Sequence, residues 1–242
     1  MTGFTGRPAL VTGAGTGIGA AVAEMLAAEG ARVALMGRRP EPLAATAARL
    51  RLIAPDLLEL PGDIRDYAQM EGAVAATIAR FGGLEVLVAN AAIAESGPIA
   101  EADPGLYRDV ILTNVVGVMN GVRAALPHML ERRSGHIVII ASVSGRVTYT
   151  GESAYVASKH ATVAFADCLR QEVASAGIRV SVIEPGLVET PLIHVYPDAL
   201  DMVAEVTPLD AADIARAVRF VLEQPPQVNV FEVVLRPTAQ VP

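Results

Sequence analysis

Tyr155 and Lys159 are four residues apart, and Ser142 precedes the tyrosine by thirteen. On a helix the four-residue spacing sets tyrosine and lysine on one face, a turn apart. A free phenol titrates near ~10 and is a poor base at neutral pH. A cation held beside it favours the phenolate and lowers that value. A tyrosine tuned in this way exchanges a proton with an alcohol or carbonyl oxygen, and a serine hydroxyl can hold the same oxygen. The three residues therefore predict carbonyl–alcohol redox chemistry, provided a hydride carrier sits beside them. A Tyr-x-x-x-Lys pair on its own is usually an exposed helical pair, so its neighbours decide the reading. Ser144 is a second serine close by. The thirteen-residue spacing selects Ser142 and leaves Ser144 as a loop residue at the mouth of the site.

The elements that must position these groups alternate. Short β-branched runs fall at Ala9–Val11, Arg32–Met36, Leu57–Leu60, Leu84–Ala89, His136–Ile140, Arg179–Ile183 and Asn229–Leu235. Longer Ala-rich stretches suit helices at Gly17–Glu29, Glu41–Leu52, Asp66–Phe81, Gly105–Arg132, Ala154–Ala176 and Ala211–Glu223, with a short one near Leu192–Ala204. A βα alternation of this kind predicts a parallel sheet covered by helices on both faces. No repeat, low-complexity segment or linker divides the chain, so residues 1–242 are expected to form a single domain.

Thr12-Gly-Ala-Gly-Thr-Gly-Ile-Gly19 lies between the first strand and the first helix. Glycines there allow a tight turn and close approach of phosphates, and the helix N-terminus attracts their charge. The spacing Gly13-x-x-x-Gly17-x-Gly19 differs from the commoner Gly-x-Gly-x-x-Gly. A glycine-rich turn can also be a bare strand–helix connection; its position in the first βαβ unit favours a dinucleotide.

Bulk properties exclude other classes. The chain is 52% apolar and carries a net charge of −7, with a mean hydropathy of +0.42 and a pI near 5.1. No uninterrupted apolar run reaches the ~18 residues of a membrane span. An acidic chain with 4% aromatics and no Trp lacks the basic face and stacking platforms of a nucleic-acid binder. One cysteine, Cys168, forms no internal disulfide framework and fits a reducing compartment, so the expected location is cytoplasmic. Cys168 itself reads as a small buried or interface hydrophobe. The four histidines show no metal-ligand spacing, and no metal is expected. His128 and His136 read as structural, and His160 points away from the lysine face.

Taken in order, these motifs resemble those of the short-chain dehydrogenase/reductase family from about Pro8 to Pro191. They are Thr-Gly-x-x-x-Gly-Ile-Gly at Thr12–Gly19, Asn90-Ala91, Asn114, Ser142, Tyr155 with Lys159, and Pro185-Gly186. The resemblance implies one doubly wound parallel sheet (a Rossmann fold) of about seven strands. It also implies that Tyr155 is the general acid/base, that Lys159 lowers its pKa and binds the nicotinamide ribose, and that Ser142 orients the substrate oxygen. Asn114 would help hold a water linking Lys159 to solvent. The cofactor would lie along Gly13, Gly15, Thr16, Gly17, Ile18 and Gly19. Asp63 and Ile64 would flank its adenine, Asn90 and Ala91 would line it, and Pro185, Gly186, Val188 and Thr190 would border the nicotinamide. Two departures stand out. Ala92 replaces the family's glycine, and no Asp-Gly-Gly occurs near the C-terminus. The ending from Gln227 to Gln240 resembles a branch that handles hydroxy acids and related small carbonyls.

Cofactor choice is read at the end of the second strand. An NAD site places Asp or Glu there to hold the ribose 2′-OH. This chain has Gly37-Arg38-Arg39. Guanidinium matches a phosphate, so NADP(H) is expected before NAD(H). Thr16 weakens the case, because many NADP-dependent members carry a basic residue at that position. The alternative for both arginines is solvated surface charge.

The loops Ile93–Ile99, Val143–Ser153 and Leu187–Met202 should frame the substrate, with a lid around residues 187–205. Ile93, Val143, Val147, Tyr149, Leu187, Leu192, Ile193, Val195 and Tyr196 make that frame mostly apolar. Arg146 is the one cation placed to pair with an anionic substrate; Glu95, Glu152 and Glu189 would oppose one. This favours a neutral ketone or aldehyde and pulls against the tail resemblance. His194, on the lid, is the histidine that could touch substrate. Ala- and Val-rich helices at Gly105–Arg132 and Ala154–Ala176, with an apolar last strand, suggest a homo-oligomer, a tetramer or a dimer. Two other functions share these motifs: a non-catalytic dinucleotide-binding regulatory protein, and a lyase or epimerase that uses the same tyrosine.

Overall fold

A computed structural model describes residues 3–196 and 206–241. Seven parallel strands form one sheet in the order β3-β2-β1-β4-β5-β6-β7. They are β1 Pro8–Thr12, β2 Arg32–Gly37, β3 Leu57–Pro61, β4 Val86–Ala89, β5 Gly135–Ile140, β6 Ile178–Pro185 and β7 Glu232–Leu235. The order reverses between β1 and β4, which pair with Val11 opposite Val88. The strands nearest that line are buried from end to end, as continuous apolar runs in a covered parallel sheet must be.

Helices cover both faces. On one face α1 (Gly17–Ala28), α2 (Pro40–Leu50) and the helix at Ala211–Glu223 bury Leu26, Leu43, Leu50, Ile214 and Val218 against β1 and β2. On the other, α3 (Tyr67–Phe81) and the helices at Val118–Arg132 and Ser153–Val173 bury Met70, Phe81, Met129 and Leu169 against Leu10, Leu87 and Ile137. Caps set the helix limits. Asp66 accepts hydrogen bonds from Ala68 and Gln69 N–H at the start of α3, and Gly82 in the left-handed region ends it.

The helix expected over Gly105–Arg132 runs from Pro104 but is not regular. It comprises α4 (Pro104–Ile111), a π-helical turn at Leu112–Gly117, and α5 (Val118–Arg132). Among the described residues, 104–132 is also the one helical run long and apolar enough to cross a membrane. Its apolarity is that of a core helix, because α5 packs on α3, β4 and β5. Two strand limits differ from expectation for identifiable reasons. Leu84 N–H donates to His128 Nε2 (3.2 Å) rather than to a strand, so β4 begins at Val86. Asn229 pairs with both backbone groups of Val180 through its side chain, so the β7 ladder begins at Glu232. The helix α6 (Ser153–Val173) passes into a short 3₁₀ turn at Ala174–Ala176 and stops at Gly177, φ 73°. The last helix is α7 (Ala211–Glu223). The part of the helix expected near Leu192–Ala204 that is described is a 3₁₀ turn at Pro191–Val195; residues 197–204 of it lie outside the described residues.

His136 is structural. Its Nε2 lies 2.9 Å from Ser181 Oγ. Ser181 gives its only hydrogen to the Val230 carbonyl at 2.6 Å, so Nε2 must carry the imidazole proton. Nδ1 is then a bare acceptor, buried and without a partner among the described residues. Burial, reinforced by the Arg179 and Arg7 charges, pushes the His136 pKa down to about 3. An unfolded histidine titrates near ~6.5. Between those values the unfolded chain binds a proton that the fold refuses, so stability falls as pH falls. This one group contributes ~1.4 kcal/mol per pH unit. Urea unfolding followed from about pH 7 to about pH 5 should therefore show a shallower loss of stability in His136→Asn than in the wild type. Equal slopes would refute the assignment.

Candidate active site

Every strand of the parallel sheet points its carboxyl end at the same edge, and a cleft of about 630 Å³ opens there across the β1–β4 line. Its floor is the glycine loop. Gly13 has φ +67°, and a Cβ added to it would stand 2.7 Å from Asn90 Nδ2 and 2.8 Å from the Ala91 Cα. Gly17 also has positive φ, +54°. Thr46 on α2 ties the loop down by donating to the Gly15 carbonyl (3.0 Å). Thr12 and Asn90 join it to β4. The Thr12 hydroxyl accepts from Asn90 and Ala91 N–H, and Asn90 Nδ2 donates to the Thr12 and Gly13 carbonyls.

These features fit a dinucleotide. Thr16, the N-cap of α1, makes no side-chain cap, and the first turn has no acidic residue. Its N–H groups and the positive helix end are therefore left for a phosphate. Thr113, which lines the cleft as Asp63 and Ile64 do, has a buried Oγ1 with no partner among the described residues. Arg65 donates to the Asp63 carboxylate through Nε and Nη2 (2.9 and 2.7 Å) and fixes it in place. Burial of Asp63 opposes ionisation. Bonds to Arg65, with the Arg65 and Arg38 charges, nevertheless hold it below the usual carboxylate range. Arg38 and Arg39 border the cleft, exposed, with no ion pair among the described residues. Gly15, Ile18, Gly37, Ala91, Pro185, Gly186, Val188 and Thr190 line the same cleft. Gly19 lies beneath it, where any side chain would collide with the Gly13 carbonyl.

Ser142, Tyr155 and Lys159 meet at the far end of the cleft. Ser142 accepts from Ser144 N–H (3.1 Å). Its own hydrogen makes a long contact to the Pro185 carbonyl (3.4 Å) and can turn instead to the Tyr155 oxygen. Lys159 Nζ is 3% exposed, donates to the Ile140 carbonyl at 3.1 Å, and stands 5.5 Å from the centre of the Tyr155 ring. Burial pushes the Lys159 ammonium down to about 8. The expected lowering of the tyrosine pKa is not met in this geometry. Burial pushes the Tyr155 phenol up to about 12; the bond from Ser142 opposes this and the Glu152 charge adds to it.

Asn114 sits in the π-helical turn, 1% exposed. Its Oδ1 accepts from Ile93 N–H, and its Nδ2 donates to the Ile93 carbonyl and to Ser158 Oγ. Thr162 Oγ1, 2.7 Å from the Ser158 carbonyl on its own helix, also reaches the Asn114 carbonyl at 3.1 Å. Asn114 thus locks the loop after β4 to α6, the helix that carries tyrosine and lysine. The distortion that places it, and the supports from Thr12, Thr46 and Ser158, had no signature in the sequence. Gln240, which accepts from Leu187 N–H (3.0 Å) and brings the C-terminal tail against Gly186, was equally unmarked.

Several expectations about the substrate side are corrected. Arg146 is not available to an anionic substrate. It donates to both oxygens of Glu184 on β6 and pairs with Glu232 on β7, and these bonds raise its pKa. Glu184 is fully buried, so the fold needs that cation itself. Ser144 is buried in a 3₁₀ turn instead of lying at the mouth, because its N–H donates to Ser142 Oγ, the cap of that turn. Cys168 is exposed on α6. His194 and Glu189 are exposed and lie outside the lining of the cleft. Ile93, Leu192 and Val195 do line it, whereas Val143 and Ile193 are buried.

Residues 7–200 match the model of the family described as short chain dehydrogenase. The chain belongs to the short-chain dehydrogenase family. Its structure resembles that of levodione reductase, with a TM-score of 0.90 and 34% identity over 96% of each chain. An alcohol dehydrogenase from the archaeon Thermococcus sibiricus, complexed with 5-hydroxy-NADP, gives 0.88 and 27% over 98% of each chain. A 3-ketoacyl-(acyl-carrier-protein) reductase from Brucella melitensis, complexed with NADH, gives 0.90 and 27% over 98% of this chain and 99% of that one. This short-chain dehydrogenase is an oxidoreductase of a family that uses a nicotinamide dinucleotide. A methyl group at Gly13 would displace Asn90 or Ala91 and strain a positive φ. Gly13→Ala should weaken NADPH or NADH binding about tenfold or more in a fluorescence titration, with the overall circular dichroism retained. Unchanged affinity would show that the loop does not hold the nucleotide.

Proposed function

We propose that this short-chain dehydrogenase is an NADP(H)-dependent carbonyl reductase or secondary-alcohol dehydrogenase, with Tyr155 as general acid/base. The supporting observation is the convergence of Tyr155, Ser142 and buried Lys159 at the strand end of the glycine-loop cleft. When bound, the nicotinamide supplies the hydride acceptor or donor. Every other role falls to this chain's own groups. The Tyr155 hydroxyl gives its proton to the carbonyl oxygen in reduction and takes one from the alcohol in oxidation. Ser142 turns its loosely held hydrogen to the same oxygen. Lys159 holds positive charge over the phenol ring and has hydrogens to spare for a ribose hydroxyl. Asn114 sets loop and helix in register, and the second lone pair of Oδ1 is what it offers a water on the proton route from Lys159.

Arg38 and Arg39 carry the cofactor choice. They border the cleft, free of ion pairs among the described residues, and the side chains at the end of β2 include no carboxylate. A 2′-phosphate there would gain charge-assisted hydrogen bonds. NAD(H) use by the same machinery is the second reading, and the coupling of Asp63 to Arg65 and Arg38 leaves a carboxylate near that end. A non-catalytic nucleotide-binding role is disfavoured because Tyr155 and Lys159 are both retained, buried and in contact with the cleft. We further propose one domain acting in the cytoplasm; of the lid expected around 187–205, residues 197–205 lie outside the described residues. The exposed Leu106, Tyr107, Met119 and Leu130 on α4 and α5, and Val234 on the edge strand, support assembly into a homodimer or homotetramer. Sedimentation velocity at micromolar concentration should then show no stable monomer.

Tyr155→Phe should lower kcat for ketone reduction by ~10²–10⁴-fold while nucleotide binding stays within about twofold. Near-normal turnover would overturn the assignment. Arg38→Ala should reduce the NADPH-over-NADH ratio of kcat/KM by about ten- to a hundredfold, the worth of a bond to a charged phosphate. A wild-type preference for NADH would sink the NADP(H) reading.

A further inference from the structure

Four strands begin close together on the edge opposite the catalytic cleft. Arg7 stands just before β1 and Glu85 just before β4, Gly135 opens β5, and Arg179 is the second residue of β6. With Gln224, which follows α7, they line a second cavity of about 380 Å³. Because the strands are parallel, the sheet separates this cavity from the glycine loop at their carboxyl ends.

Two arginines border the cavity with donors to spare. Arg179 donates through Nη1 to the Gln224 carbonyl (2.8 Å) and the Val228 carbonyl (3.3 Å). Its Nε and Nη2 have no partner, and it forms no ion pair, among the described residues. Arg7 uses Nε alone, on Glu85 Oε2 (3.1 Å), and its terminal nitrogens hydrogen-bond to nothing among the described residues. The Phe4 ring, its centre 5.4 Å from the guanidinium carbon, backs Arg7. Burial and then the Arg7 charge hold Arg179 below its usual range, as a like charge close by requires. The other charged groups do not balance this pair. Glu85 answers Arg7 through one bond. Glu223, also on the lining, is taken by Arg219 at 2.7 Å. His136, next to Gly135, is neutral at neutral pH.

A guanidinium presents its N–H groups as a planar fork that matches an oxyanion. Two such forks on one cavity call for an anion that shows oxygens to both. A tetrahedral phosphate does this. A carboxylate has its two oxygens in one plane and serves one fork. Leu222, Pro225 and Pro226 add an apolar wall, which suits a small organic group attached to the phosphate. We propose that this cavity is a phosphate-binding site, in which Arg7 and Arg179 hold inorganic phosphate or the phosphate of a small monoester. The ligand ties the starts of β1 and β6 to the end of α7. The site is independent of the carbonyl-reductase reading.

The test is calorimetric titration of the protein with its glycine-loop cleft already filled by NADPH or NADH. At about pH 7.5, where phosphate is mostly dianionic, inorganic phosphate should bind with a Kd at or below about 1 mM. Arg179→Gln keeps a donor for the Gln224 carbonyl; it and Arg7→Gln should each weaken binding about tenfold or more, the worth of a charge-assisted bond. Glu85→Gln removes the opposing carboxylate and frees Arg7, and should tighten binding about threefold or more. Damage to the fold does not produce tightening. Acetate at equal ionic strength should bind about tenfold more weakly or less. Phenyl phosphate that binds more tightly than phosphate assigns the site to a monoester; equal or weaker binding assigns it to the free ion, and both keep phosphate as the ligand. Three results overturn the proposal: no binding of either phosphate below about 10 mM, equal affinity in the wild type and all three variants, or acetate binding as well as phosphate.

Discussion

Where the strand order reverses, the chain must hold together two halves of a sheet that it builds at different times. The Thr12 hydroxyl does this. It donates to the Val88 carbonyl and accepts from Asn90 and Ala91 N–H, while Asn90 returns two bonds to the Thr12 and Gly13 carbonyls. The strand ends there leave backbone groups with no ladder partner and little water. One hydroxyl and one carboxamide satisfy them and, in doing so, fix the height of the glycine loop against β4. The cleft has its shape because that junction is rigid.

The catalytic end is built on the same logic one strand further on. Asn114 reaches Ile93 on one side and Ser158 on the other only because the helix widens into a π turn at that point. Thr162 Oγ1 lies 3.1 Å from the Asn114 carbonyl as well as 2.7 Å from that of Ser158, so α6 meets the turn here too. The distortion is therefore held from both sides, as a functional irregularity in a helix needs to be. It sets α6 at the distance where Tyr155 faces Ser142 and Lys159 is covered. Burial of each group has a physical consequence: it pushes the Lys159 ammonium down to about 8 and the Tyr155 phenol up to about 12.

Charge is distributed unevenly around this pair. The arginine nearest the substrate loops is spent on a fully buried glutamate of β6 and on Glu232 of β7. That choice bolts the Ser142 turn to the sheet and removes positive charge from the substrate side. The cofactor side has the opposite character, with an uncapped helix start and two arginines free of ion pairs among the described residues.

Much was legible before any coordinates. The seven strands follow from short apolar runs, because a strand covered on both faces has no polar side to show. The glycine loop, Ser142, Tyr155 and Lys159 announced themselves by type and spacing, since local turns and one helix face are set by near neighbours along the chain, while Asn90 came from the family resemblance. Arg146 and Ser144 misled for the converse reason. A lone arginine reads the same whether it faces a substrate or a buried Glu184 thirty-eight residues on, and a serine beside the key serine carries no mark of burial. The π turn and the Thr12 and Thr46 ties were likewise unreadable. The sequence by itself determined the order of elements and the identity of the reacting groups, which depend on local pattern. Only the tertiary structure decided which polar groups find partners and which are left open, because partnering is settled between residues distant in the chain and close in space.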